Sequence, residues 1–386
     1  MKRVLQISKY MYPFIGGVEQ VAKDIANALS EQGYEQKIIC FNEDADDGKM
    51  VCRKEENTTD FVDGVEVIRV GYKLKIASQS LSLHYKKALD DVMENFKPDV
   101  VIFHYANPFV ARLLLRHSKE NFKLIVYWHF DISKQRFLKL FVHDQTKRLI
   151  ERADKIVGAT PIHVNESEFS KYFGNKKYIL PYRIDEKSLI LDDIDREKAS
   201  LIRMKYSGKV LGFFIGRHVS YKGLKYLIAA SKELGDINAK FFIAGNGKLT
   251  ESLKAQAAGD DKIEFIGRIS ASDKRAYLEA CDIFTFPSVT KNEAFGLALA
   301  EGMYFGMPAV TYHINGSGVN YVNLDGVTGI ECPNADVSAY ANALRKLIED
   351  EELRTKLGTQ ARERVLENFT AENFKENMVK LLEEEL

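Results

Sequence analysis

The sequence predicts an α/β protein built as two doubly wound, parallel-sheet domains in tandem. Short apolar runs rich in Val, Ile and Phe recur along the chain, helix-length amphipathic stretches separate them, and the alternation restarts after the charged stretch Asp185 to Lys198. Runs of that kind are what strands buried on both faces of a parallel sheet look like. A chain of 386 residues is also longer than one compact core usually holds.

In the first half the expected strands are Val4 to Ser8, Lys37 to Phe41, Val65 to Val70, Val100 to His104, Leu124 to His129 and Lys155 to Ala159. Helices are expected between most of them, over Val18 to Glu31, Ser82 to Phe96, Pro108 to His117 and Lys134 to Arg152. The second half repeats the pattern with strands at Val210 to Ile215, Lys240 to Ala244, Ile263 to Ile266, Ile283 to Phe286 and Ala309 to Thr311. Thr370 suits the N-cap of a last amphipathic helix, AENFKENMVKLLEEEL. The expected division is residues 1–184, residues 185–369, and a C-terminal helix over 370–386 that packs back on the first domain. Ligands of such sheets bind beyond the carboxyl ends of the strands, so a cleft between the two domains is the expected site.

Hydrophobic content of 45% and charged content of 28% exclude a disordered or fibrous chain. Net charge is zero but uneven: between Val101 and Ile184, 15 basic residues face seven acidic ones, a clue to partners rather than to fold. Cys40, Cys52, Cys281 and Cys332 show no metal-like spacing, which fits a reduced cytoplasmic compartment. MKRVLQIS lacks the apolar core of a signal peptide, and no run approaches the roughly 18 apolar residues of a membrane span, so any membrane contact is expected from the surface.

Chemistry concentrates just after the strands. YPFIGGVEQVAKDIA places Gly16 and Gly17 at the opening of a helix, where backbone amides can meet an anion, although a plain β-to-α turn has the same look. The Gly-x-Gly-x-x-Gly fingerprint of a dinucleotide site is missing, which counts against a nicotinamide dehydrogenase. FFIGRHVSYKGLKYL sets Arg217 and Lys222 at a strand end and helix entry, two cations that suit a diphosphate. In FFIAGNGKL, Gly245 and Gly247 make a close turn, and Gly267 with Arg268 sits where backbone groups can read a base edge.

KNEAFGLALAEGMYFGMP, from Lys291 to Pro308, carries Glu293 just before a helix and Glu301 inside it. Eight residues apart on a helix means roughly 80° of rotation, which amphipathicity does not explain. A helix beginning near Phe295 and Gly296 leaves the amides of Ala294 to Leu297 free for a phosphate, while Glu301, among Leu297, Ala300 and Met303, needs hydrogen-bond donors such as a ribose diol.

At this point KNEAFGLALAEGMYFGMP resembles the Glu-x(7)-Glu signature of retaining family-4 glycosyltransferases, whose GT-B fold has two Rossmann-like doubly wound domains facing each other across a cleft. The resemblance extends over nearly the whole chain, through GGVE, YWHFDI, GRHVSYKG, AGNG, FIGR and HINGSGVNYVNLDGVTGI, and is greatest to bacterial α-mannosyltransferases of surface polysaccharide synthesis. It implies a retaining, metal-independent hexosyltransferase that takes mannose from GDP-mannose, or another hexose from a UDP-sugar, to a saccharide acceptor of the lipid-linked kind. It implies no cofactor and no nucleic-acid partner. The alternative from another class is a non-catalytic partner subunit, whose mark would be loss of Arg217, Lys222, Glu293 or Glu301; all four are present.

By position, the resemblance assigns Arg217 and Lys222 to the donor diphosphate and Glu301 to the ribose. Glu293 with Ala294, Phe295, Gly296 and Leu297 falls to the transferred sugar and pyrophosphate, and His129 to the sugar from the first domain. Gly17 and Gly245 line the diphosphate space, Arg268 and Ile269 adjoin the base, and Gly16, Gly17 and Asp131 adjoin the acceptor. No classical base is implied; His129 is the candidate if there is one. The chain departs from the family at Pro181-Tyr182-Arg183-Ile184-Asp185, where Arg183 replaces a glycine.

An Asp-x-Asp at Asp44 and Asp46 lies in the polar loop NEDADDG, far from the phosphate signals, and reads as an acidic surface turn; no metal is expected. The segment SKQRFLKLFVHDQTKRLIERADK interleaves Phe137, Leu138, Leu140 and Phe141 with Lys134, Arg136, Lys139, Lys147 and Arg148. Such a helix can lie on an anionic membrane surface, as a peripheral protein on the inner face of the plasma membrane would, or can simply cover the sheet.

Overall fold

The computed structural model describes residues 2–14, 17–43, 51–76, 79–131 and 136–385. It divides into two compact units, Met1–Pro181 with Phe374–Leu386, and Tyr182–Asn373.

The first unit is built on β1 (Arg3–Ile7), β2 (Glu35–Phe41), β3 (Thr58–Val62), β4 (Val65–Val70), β5 (Leu74–Ile76), β6 (Gln79–Leu81), β7 (Val100–Tyr105), β8 (Lys123–Trp128), β9 (Lys155–Gly158) and β10 (Lys177–Ile179). Eight of these form one sheet in the order β10-β9-β8-β7-β1-β2-β4-β3, and β5 pairs with β6. All pairings in the large sheet are parallel except β3 on β4. The expected strands are all present. The unexpected β3, β5, β6 and β10 are short or carry polar residues, as edge strands do. The central strands are buried on both faces, and in β1 the apolar neighbours Leu5 and Ile7 flank an equally buried Gln6.

A buried arginine fixes the first loop. Arg69 on β4 is 1% exposed; its Nη2 donates to the Tyr12 carbonyl at 2.6 Å, and its Nε faces Asp60 of β3 at 3.0 Å. The edge strand thus supplies the carboxylate that keeps this cation neutralised, and the cation holds the chain ahead of the helix Gly17–Glu31. The helix Ala371–Glu385 starts as expected, with the Thr370 hydroxyl accepting from the Asn373 amide at 3.2 Å. Within the first unit its later turns bury Phe374, Met378, Leu381 and Leu382, and Tyr178 donates to the Asn377 carbonyl at 3.0 Å.

The second unit has six parallel strands, β11 (Val210–Ile215), β12 (Ala239–Ala244), β13 (Ile263–Gly267), β14 (Ile283–Phe286), β15 (Ala309–Tyr312) and β16 (Gly329–Cys332), in the order β13-β12-β11-β14-β15-β16. The reversal of strand order at β11 and β14 is the switch point where ligands of such sheets sit. The charged stretch Asp185 to Lys198 is itself structured. It holds the turn Glu186–Leu189 and opens the helix Asp193–Lys205, because Asp192 and Asp195 form a reciprocal capping box. Arg275 donates to Asp195 at 2.5 Å and holds its carboxyl down to about 2.

The helix Leu297–Tyr304 lies directly on β14: a Cβ at Gly302 would stand 2.3 Å from the Phe284 ring. That contact explains the small residues of LALAEGMY. Among the described residues no helix is long and apolar enough to cross a membrane. The four cysteines are unpaired. Asp44, Asp46 and Lys134 lie outside the described residues, as do the side chains of Arg136, Phe137, Leu138, Lys139, Leu140 and Phe141.

Candidate active site

In the second unit two loops are pressed together where β11 and β12 end. Gly245 has φ +108°, and a Cβ there would meet the Gly216 carbonyl oxygen at 2.0 Å. Only glycine can occupy this position, so backbone faces backbone beside the Arg217 loop. Arg217 is exposed and has no ion-pair partner among the described residues. The Gly245 amide donates to the Gly267 carbonyl at 2.7 Å, which ties in the end of β13. There Arg268, exposed, donates to Asn246 at 3.0 Å, next to the half-buried Ile269.

The second pair of loops follows β11 and β14. Lys222 and Glu293 are each 9% exposed, and the Lys222 ammonium donates to the Glu293 carboxylate at 2.5 Å. Ser288 donates to the same carboxylate oxygen at 3.0 Å. The Ser317 hydroxyl donates to the Glu293 carbonyl, and the Gly318 amide donates to the Ala294 carbonyl at 2.8 Å. The segment carrying Glu293 is therefore fastened at its side chain and at its backbone. It runs straight into the helix Leu297–Tyr304, where Gly296, with φ +91°, takes the N-cap position without a side-chain cap. The first amides of that helix have no capping side chain, the arrangement that favours an anion.

One expectation changes in detail. Glu301 does need a donor, but Lys274 supplies one at 2.6 Å, so the carboxylate is not left for a ribose alone to satisfy. Phe295 turns its ring into an apolar cluster, 5.2 Å from Tyr182 and 5.4 Å from Phe369. What Phe295 can offer a ligand is its backbone. Lys274, on the helix Ala271–Ala280, was invisible to motif reading because it is distant in sequence from the glutamate it holds.

In the first unit His129 follows β8 and is 2% exposed. Its Nε2 stands 2.9 Å from His104 Nδ1, and His104 Nε2 stands 3.1 Å from Gln6 Oε1. Burial pushes the His129 imidazole well below the usual histidine range, helped by the neighbouring His104 and His163. Burial likewise lowers His104 to about 3 and His163 to about 4. All three are neutral at physiological pH. Neither His104 nor Gln6 was singled out from the sequence, yet a polar residue inside an apolar strand that is buried on both faces was the signal available.

Asp131, expected near the acceptor, is taken up inside the protein. It accepts from Trp128 Nε1 at 2.9 Å, from Ser167 Oγ at 2.7 Å and from the Glu168 amide at 3.0 Å. Its carboxylate shapes the loop after β8 and has little left for a ligand. Gly17 opens its helix in open space, with nothing within 4 Å of a would-be Cβ, and Gly16 lies outside the described residues. Arg183 donates to the Ile184 carbonyl at 3.2 Å.

The model of "Glycosyltransferase Family 4" matches residues 15–166, and that of "Glycosyl transferases group 1" matches residues 195–364. The chain is 27% identical to the O-antigen chain mannosyltransferase C of Escherichia coli, over 98% of its length and 97% of that protein. It is 29% identical to the D-rhamnosyltransferase WbpZ of Pseudomonas aeruginosa, over 96% of its length and 92% of that protein. Among solved structures, HepE of Anabaena in complex with UDP has the same fold, with a TM-score of 0.76 at 15% identity and full coverage of both chains.

Proposed function

Since the chain belongs to the GT-B glycosyltransferases, with a family-4 half and a group-1 half, we propose that it transfers mannose from GDP-mannose, with retention, to a lipid-linked saccharide in surface polysaccharide synthesis. The observation that carries this reading is the buried Lys222–Glu293 pair, held at 2.5 Å immediately before an uncapped helix start. A nucleoside diphosphate needs what this arrangement offers: cations for its phosphates, free amides, and a carboxylate for sugar hydroxyls. The relatives' names support the sugar, because D-rhamnose is the deoxy form of D-mannose and both have the manno configuration.

In this mechanism the bond from the anomeric carbon to the diphosphate oxygen breaks, and its electron pair leaves with the phosphate. Arg217, Lys222 and the amides of Gly296 and Leu297 stabilise the charge that collects there. The acceptor hydroxyl attacks the face the phosphate has just left, which retains configuration, and its proton passes to a phosphate oxygen. Glu293 holds the transferred sugar, and Glu301, oriented by Lys274, holds the ribose. The family resemblance assigns His129 to a hydroxyl of the sugar and Gly17 to the acceptor space. No metal enters, because protein cations and amides take its electrostatic role.

Thermal denaturation with a panel of nucleotides and sugar nucleotides tests the donor, since a ligand at a hundred times its Kd stabilises by about 2.7 kcal/mol. Selective stabilisation by GDP and GDP-mannose is expected. Selective stabilisation by UDP compounds would replace this donor with a UDP-hexose, and no response to any nucleotide would leave the chain a non-catalytic partner.

A further inference from the structure

The hairpin of β5 and β6 in the first unit is oriented inside out. Its strands are antiparallel, with Leu74 opposite Leu81 and Lys75 opposite Ser80. Residues paired across a hairpin share a face and neighbours along a strand do not, so the leucines take one face and Lys75 with Ser80 the other. Apolar burial alone would turn the leucines toward the protein. The polar face is turned inward instead: Ser80 and Ser82 are buried, whereas Leu81 is half-buried, Leu74 is 53% exposed and Leu83 is 88% exposed. Glu43, two residues beyond β2, holds this orientation. Its carboxylate, on a side chain 8% exposed, accepts from Lys75 at 2.6 Å, from Ser80 at 3.1 Å and from the Tyr72 hydroxyl at 3.2 Å. Ser82 is also used inside, accepting from the His84 amide at 3.1 Å just before the helix Tyr85–Phe96. Turning the leucines inward would strip that carboxylate of two donors, so the leucines stay in water.

The charges beside these leucines have one sign. From Gly71 to Leu89 the chain carries Lys73, Lys75, Lys86 and Lys87 and no aspartate or glutamate. Lys75 is paired with Glu43, and Lys86 with Asp90 one turn along the helix. Lys73 and Lys87 are exposed and make no ion pair among the described residues. We propose that the leucine face of this hairpin, Leu74, Leu81 and Leu83, with Lys73 and Lys87 beside it in the chain, docks on an anionic lipid bilayer. Such a bilayer is negative at its headgroups and apolar just beneath them, which is what lysines next to exposed leucines complement. A second copy of this chain is the poorer occupant, because an isologous contact through this face would bring lysines against lysines. The surface lies apart in sequence from the basic segment Lys134 to Lys155. Vesicle binding needs neither donor nor acceptor, so the inference stands or falls independently of the transferase reading.

The test co-sediments the full chain with phosphatidylcholine vesicles made with and without phosphatidylglycerol. The wild type should bind the vesicles that contain phosphatidylglycerol, and less so as salt is raised. Leu74→Ser with Leu83→Ser should lower the partition coefficient about ten-fold or more, since two leucines no longer leave water. Lys73→Gln with Lys87→Gln should lower it about five-fold for each charge removed. All four side chains are exposed, so thermal unfolding of both variants should match the wild type. Lys147→Gln with Arg148→Gln, in the basic segment, should leave binding as it was. No binding to either vesicle, equal binding to both, or binding that the leucine pair does not weaken overturns the proposal. Self-association in sedimentation velocity that Leu74→Ser with Leu83→Ser abolishes overturns the lipid occupant in favour of a second copy.

Discussion

Lowering the pH should weaken the first unit well before its carboxylates titrate. His104 and His129 are buried and neutral, with His104 held near 3 and His129 also far below its ordinary value. In the unfolded chain each titrates near 6.5. Below that pH the unfolded state binds protons that the folded state refuses, so stability is full above 6.5 and falls as the pH drops, until the folded pKa is reached. At pH 5 each histidine costs about 2 kcal/mol, so the pair costs about 4 kcal/mol, a large share of a typical 5–15 kcal/mol. The assay is urea unfolding followed by fluorescence of Trp128, the one tryptophan of the chain, which is buried beside His129 and so reports on this unit alone. His104→Gln should remove about 2 kcal/mol of the difference between pH 7.5 and pH 5. A Trp128 transition whose free energy is flat over that range would refute the neutral, buried state of the two rings.

Other outcomes follow from the second unit. Lys222→Met should cost about 3–5 kcal/mol, because it strands a buried carboxylate, and Lys222→Met with Glu293→Leu should recover much of the stability while transfer remains lost; a chemical-denaturation cycle without coupling would contradict the pair. Gly245→Ala should cost about 1–3 kcal/mol from backbone strain and raise the donor KM, as thermal and steady-state measurements would read, since the new Cβ has a carbonyl oxygen 2.0 Å away. Lys274→Met should raise the donor KM more than it lowers kcat, because in the proposed mechanism Lys274 orients the Glu301 carboxylate that holds the ribose. Transfer should survive EDTA; abolition by chelator and rescue by manganese would require a metal.

Much of the site was legible because it follows strand ends. Arg217, Lys222, Glu293 and Glu301 sit in local stretches whose residue types suit a diphosphate and a ribose, and the structure joins Lys222 to Glu293. Lys274 was hidden because its role depends on a neighbouring helix, and no motif showed that the Asp131 carboxylate meets three donors inside the fold. The edge strands β3 and β10 escaped periodicity, since edge strands are short and half solvated.

The alternation of apolar runs and helices was sufficient for two parallel-sheet units, because burial on both faces of a strand admits few other sequences. Charge, capping and glycine positions likewise marked where ligands could bind. The direction of the buried hydrogen bonds was decided only in three dimensions. Gln6, His104 and His129 lie far apart along the chain and meet because β1, β7 and β8 are neighbours in the sheet. Gln6 in turn donates to a carbonyl of a helix that none of the three belongs to. Local sequence can specify a strand and a residue type, but a proton's position depends on the whole chain of donors and acceptors that the fold assembles.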